Sequence, residues 1–113
     1  VADVQWNAAV ALARHGSGDG MVIIRRMLDR SYVERMVTRT PTSEANIDPV
    51  SEVIVSGLQA AAALGASELR SSIEALSESD ANLRVREVAL KALDVLNQST
   101  AKVRLSGVGR LDA

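Results

Sequence analysis

Three stretches of the chain carry one hydrophobic pattern. Val4, Ala8, Ala11, Leu12 and His15 make the first copy, Val53, Gly57, Ala60, Ala61 and Leu64 the second, and Val85, Ala89, Ala92, Leu93 and Leu96 the third. These positions run i, i+4, i+7, i+8 and i+11. They share one face of an α-helix and lack the alternation of a strand. The second copy sits in Val53–Gly65, thirteen residues without a charge. Positions i+4 and i+7 are Ala or Gly in every copy, and small side chains let two helices approach closely, ridge into groove. Gly16, Gly65 and Asn97 follow the copies; these residue types end helices in the left-handed conformation.

The pattern predicts five helices. The first covers about 3–15 and the second about 19–30, with Met21, Ile24, Met27 and Leu28 inward and Arg25, Arg26, Asp29 and Arg30 on the wet side. The third covers 49–64, where Asp48 is an N-cap and Pro49 takes the first helical position. The fourth spans 67–77 with Leu69, Ile73 and Leu76 inward, and the fifth 81–97. Between the second and third, residues 31–47 begin as a helical continuation through Tyr32, Val33 and Met36 and then read as a Thr/Ser-rich loop around Pro41. The tail, 98–113, is open between disorder, packed coil and the start of another helix.

The third copy, with Asp80, Val85, Arg86, Ala89, Ala92, Leu93 and Leu96, resembles the second helix of a HEAT repeat, and in particular the short bacterial HEAT-like repeats of the phycobilisome-lyase type. Asn97 stands where that pattern has Gly; the second copy keeps the Asp as Asp48 but has Ile54 in place of the Arg, and the first has Gln5 there. Three copies in register are a far stronger signal than one. Copies two and three lie 32 residues apart, one helix pair, and copies one and two lie 49 apart, so the 17-residue excess predicts an insertion between Arg30 and Asp48. The resemblance implies an α-solenoid of about two and a half helix pairs over residues 1–97, with the first, third and fifth helices inner and concave and the second and fourth outer. Because Val1 falls inside a repeat unit, the chain reads as a piece of a longer protein. Its first helix, lacking an outer partner, is expected to leave an apolar edge for neighbouring repeats or for self-association.

Composition narrows the function. One domain of 113 residues has no Phe, one Trp and one Tyr, so aliphatics and Ala must fill the core. A net charge of −1 gives no global attraction to nucleic acid or membrane. There is no Cys, so disulfides, thiolate chemistry and Cys-rich zinc sites are excluded, and the compartment stays open. No uncharged run reaches the roughly 18 residues of a membrane span.

No catalytic constellation, cofactor motif or metal-ligand set is legible. Gly16-Ser17-Gly18-Asp19-Gly20 lacks the Lys and preceding strand of a phosphate loop. His15 and Asp19 could pair as base and orienter, but His15 holds the register of Leu64 and Leu96 and reads as a half-buried repeat residue. Glu74/Glu78 and Asp29/Glu34 read as solvated helix surface. Turning the small positions inward leaves Trp6 and Val10, Val55 and Gln59, and Glu87 and Lys91 pointing out, a surface running from apolar to charged. Trp is enriched at binding hot spots; the alternative is that Trp6 and Val10 pack on a preceding repeat. Tyr32, Arg35 and Arg39 form a second candidate contact. The expected function is therefore non-catalytic: an all-α scaffold presenting a concave surface to a protein or peptide. The alternatives are tetrapyrrole binding like that of the phycobilin lyases, and nucleic-acid binding through Arg25, Arg26, Arg30, Arg35 and Arg39, against which Asp19, Asp29 and Glu34 interleave.

Overall fold

The computed structural model describes the backbone of residues 2–37 and 48–112 and the side chains of residues 4–37 and 48–98. Among the described residues every regular element is helical, with no strand. In order they form α1 (Ala2–Arg14), a 3-10 turn (Gly18–Gly20), α2 (Met21–Met27), α3 (Arg30–Met36), α4 (Pro49–Leu64), a second 3-10 turn (Ser67–Leu69), α5 (Arg70–Ser79) and α6 (Leu83–Asp112). The uncharged α4 lies at the centre and packs against α1, α2, α3 and α6, while α6 also packs against α5.

Local signals explain most boundaries. Asp48 accepts hydrogen bonds from the Val50 and Ser51 amides at 3.1 and 3.3 Å, so α4 begins where its Asp-Pro start predicts. Gly16 and Gly65 have φ of 80° and 67°. At the first, the Ser17 and Gly16 amides return to the Leu12 and Ala13 carbonyls; at the second, those of Ala66 and Gly65 return to Ala61 and Ala62. Both are Schellman closures, and both lead through a 3-10 turn into the next helix. Asn97 does not repeat them. A Cβ disfavours the left-handed conformation, the Asn97 side chain accepts from Arg70 instead, and α6 runs on through the tail to Asp112. The side chains of residues 99–113 lie outside the described set.

The expected single helix over 19–30 is broken. Leu28 and Asp29 leave the helical path, and the Asp29 carboxylate accepts from the Tyr32 amide to start α3. Short acidic side chains compete in this way with the backbone of a continuing helix. Arg30 is therefore not the solvated end of an outer helix; it opens α3 and turns inward. The expected insertion supplies this helix, which packs on α4, while residues 38–47 lie outside the described set.

The core differs from the expected one most at α1. Gly57, Ala60 and Ala61 of α4 and Val85, Ala89, Ala92 and Leu96 of α6 are buried as predicted, whereas Val53, Leu64 and Leu93 are half-buried and Ile54, at the Arg position of the pattern, is buried. In α1 the register face is exposed: Val4, Ala8, Ala11, Leu12 and His15 face solvent, and Trp6, Ala9 and Ala13 are buried. The helix is rotated because its tightest contact is elsewhere. A Cβ on Gly20 would fall 2.8 Å from both Cα and Cβ of Ala9, so Ala9 must face the 3-10 turn. Gly20→Ala is accordingly expected to cost about 2 kcal/mol, read as a lower urea midpoint at unchanged slope.

Candidate functional site

A polar clasp first fixes the frame around the candidate site. Arg30 donates from Nε to Asp80 Oδ1 and from Nη2 to Asp80 Oδ2, both at 2.8 Å, and Nη2 also reaches Ser51 Oγ at 3.1 Å. The Ser51 hydroxyl donates to Asp48 Oδ2 at 2.6 Å. Asp80 in turn accepts from the Asn82 amide, and Asn82 caps α6 by accepting from the Val85 amide. One guanidinium thus joins the N-terminal ends of α3, α4 and α6 and links the two aspartates of the repeat pattern. The planar fork meets the carboxylate bidentately, the strong form of this pair. Burial pushes the Asp80 carboxyl up, but the Arg30 hydrogen bonds, the Asn82 amide and the charges of Arg30 and Arg86 outweigh it and hold the pKa below the usual value. Asp48 is also held low, chiefly by the Ser51 hydroxyl, and Arg30 is raised, chiefly by its hydrogen bond to Asp80. Sequence reading marked both aspartates but not Arg30 as their link.

With these ends fixed, α1, α3 and α4, with Met27 of α2 at the base, line an open groove of about 900 Å³, within the range of ligand and peptide pockets. Its apolar wall is Trp6 and Val10 of α1, Met27 of α2, Met36 and Val37 at the end of α3, and Pro49 and Val53 of α4. Asn7 and Ser56 supply neutral hydrogen-bonding groups, and Arg14 and His15 line it from the C-terminal end of α1. Glu52 is the one carboxylate in the wall, and it pairs with Arg84 of α6. The groove is therefore more apolar than polar, with Arg14 as its cation where α1 ends.

The predicted contact residues divide. Trp6 and Val10 line this groove, but Trp6 is only 7% exposed, so it forms a wall and not a projecting anchor. Val55 is buried, because α4 has neighbours on both flanks and leaves no open strip there. Gln59, Glu87 and Lys91 are exposed but line neither described cavity. Tyr32 is half-buried under Arg26, whose guanidinium carbon lies 5.8 Å from the ring centre; Arg35 is exposed, and Arg39 lies outside the described residues. Met27, Met36, Pro49, Val53 and Ser56 belong to the groove without having been singled out. They sit on three helices whose approach no local pattern encodes.

A second cleft, about 740 Å³, lies between α2, α3 and α5 and holds Arg25, Arg26 and Arg30 with Asp29 and Asp80. Arg30 is committed to Asp80, so little net charge remains there. His15 is exposed and not half-buried as its register suggested, and Asp19 is not in the groove wall with it. Among the described residues no group of His, Asp or Glu could hold a metal ion, and no helix is long and apolar enough to cross a membrane. No protein-family model, curated protein or solved structure matches the chain.

Proposed function

We propose that this chain is a non-catalytic, HEAT-like stacked helical repeat that binds an apolar segment of a protein partner in the α1/α3/α4 groove. The stacking has support in the packing: α4 lies between α1 and α6, the helices that carry the shared pattern, and α2 and α5 pack behind α4 and α6. The binding reading is carried by one observation, a mainly apolar groove walled by the chain's single Trp, with Arg14 at its edge. Interfaces combine such an apolar centre with a polar rim, and amphipathic segments dock in grooves of this kind. Arg14 favours a segment with a carboxylate beside its apolar residues.

Trp6 provides the readout. Titration with amphipathic peptides bearing acidic residues should shift its emission, whereas peptides with Lys in place of the acids bind more weakly. Ser56→Arg, at a half-buried groove position, should lower peptide affinity about tenfold or more, the effect of about 1.4 kcal/mol, with an unchanged melting temperature. If no peptide moves the Trp6 emission, or if Ser56→Arg binds as tightly as wild type, the groove is not the binding site. A visible absorption change with a linear tetrapyrrole, absent from Ser56→Arg, would assign the groove to a pigment.

A further inference from the structure

The three pattern-bearing helices bury different parts of the same pattern. In α6 the register face (Val85, Ala89, Ala92, Leu96) is buried, and α6 packs against α5. In α4 the same face is closed by α2: a Cβ on Gly57 would lie 2.9 Å from Met27 Cβ and 3.2 Å from Leu28 Cδ2. In α1 the face is open, with Val4 63% and Leu12 37% exposed and Ala8 and Ala11 in solvent between them. The other end of the row differs. The face of α6 equivalent to Trp6, Ala9 and Ala13 is Glu87, Leu90 and Asp94, all exposed and mostly charged. Among the described residues, α1 is thus the pattern-bearing helix whose register face itself is left open.

We propose that the Val4/Ala8/Leu12 face of α1 is a docking site for a separate amphipathic helix with an aliphatic ridge like that of α5, packed as α2 packs on Gly57. The partner's chemistry follows from the covered copies. Ala8 and Ala11, like Gly57, accept bulky aliphatic side chains at short range, and Val4 and Leu12 flank them. In a second folded copy the ridges that play this part (Ile24, Met27 and Leu28; Leu69, Ile73 and Leu76) are already buried, so the occupant proposed is a separate helix with its ridge free. The inference rests on the stacked-repeat reading above; Ala11 borders both the groove and this face, and the variants below leave it unchanged.

The register supplies the probe. Val85 and Val4 are equivalent, so residues 66–81 fused directly ahead of Val1 give the added helix the offset that α5 has to α6. This extension should raise the melting temperature of the full chain by at least about 4 °C, the shift about 1 kcal/mol gives in a domain of this size. The same extension carrying Ile73→Ser and Leu76→Ser should give no rise. Ala8→Glu with Leu12→Glu should cancel the gain; the extended and unextended forms of this variant are compared with each other, so any loss from Leu12, 37% exposed, is common to both. An aliphatic extension that gives no rise, or a rise that survives in the serine extension or on the Ala8→Glu/Leu12→Glu background, overturns the proposal. Ser56 and Trp6 are untouched in all of these, so peptide binding in the groove is read independently, and either result can fail alone.

Discussion

Gly57→Leu is expected to cost about 3 kcal/mol or more, lowering the melting temperature by roughly 15 °C. Even the first carbon of a side chain would lie 2.9 Å from Met27 Cβ. That atom is tied to the α2 backbone and cannot swing away as a chain end could. Met27 is 1% exposed and Leu28 5%, so neither has room to retreat. The three further carbons of leucine must push α2 from α4, and α4 is the helix on which α1, α3 and α6 also pack. Gly57→Ala separates the terms. Alanine gains about 0.8–1 kcal/mol of helix propensity over glycine, yet the overlap is already present at Cβ, and a net loss of about 1 kcal/mol is expected. Thermal unfolding followed by circular dichroism measures both. A leucine variant melting within 2 °C of wild type, on the order of a few tenths of a kcal/mol, would mean that the α2–α4 approach is not tight in solution.

Arg30→Met should be nearly as damaging, at about 3 kcal/mol, for an electrostatic reason. It strands the Asp80 carboxylate, whose side chain is 2% exposed, with only the Asn82 amide as a direct hydrogen-bond donor among the described partners. Arg30→Met with Asp80→Leu should recover much of the loss, since an apolar pair avoids burying an unpaired charge. The pH dependence fixes the sign. Asp80 and Asp48 both have folded pKa values below the ordinary 3.8, so the unfolded chain binds protons more readily than the folded one. Their stabilisation is fully present above that value and is lost as pH falls through the folded pKa values. Wild type should melt at a nearly constant temperature from about pH 7 to 5 and progressively lower below about pH 4. The gap to Arg30→Met should narrow over the same acid range, because a protonated Asp80 no longer needs the guanidinium. A gap constant down to pH 2 would show that Arg30 acts by packing and not by charge.

The helical class, the bounds of α4 and the glycine closures after α1 and α4 were legible in the sequence because their causes are local. Asp48 caps amides two and three residues on, Pro49 sits in the first turn, and Gly16 and Gly65 adopt a conformation that few other residues enter cheaply. Gly57, Ala60, Ala89 and Ala92 faced the core as predicted, because α4 and α6 each have a neighbour on that side. The break at Asp29 was local too, but the apolar stripe from Met21 to Leu28 concealed it; an acidic residue three positions before an amide it can cap was the available signal.

Tertiary structure decided the rest. Helix α1 carries two apolar stripes, Val4/Ala8/Ala11/Leu12 and Trp6/Ala9/Val10/Ala13, and its own periodicity cannot say which one turns inward. The neighbours decide: the Gly20 turn and α4 cover the second stripe, and no described helix covers the first. Arg30 and Asp80 stand fifty residues apart and meet only because α3 breaks from α2 and aims a guanidinium at the start of α6. The groove is drawn from four helices for the same reason. Caps and propensities act within a turn of helix and are written in consecutive residues, whereas the rotation of a helix and the partners of a buried charge depend on surfaces that come together only when the whole chain has packed.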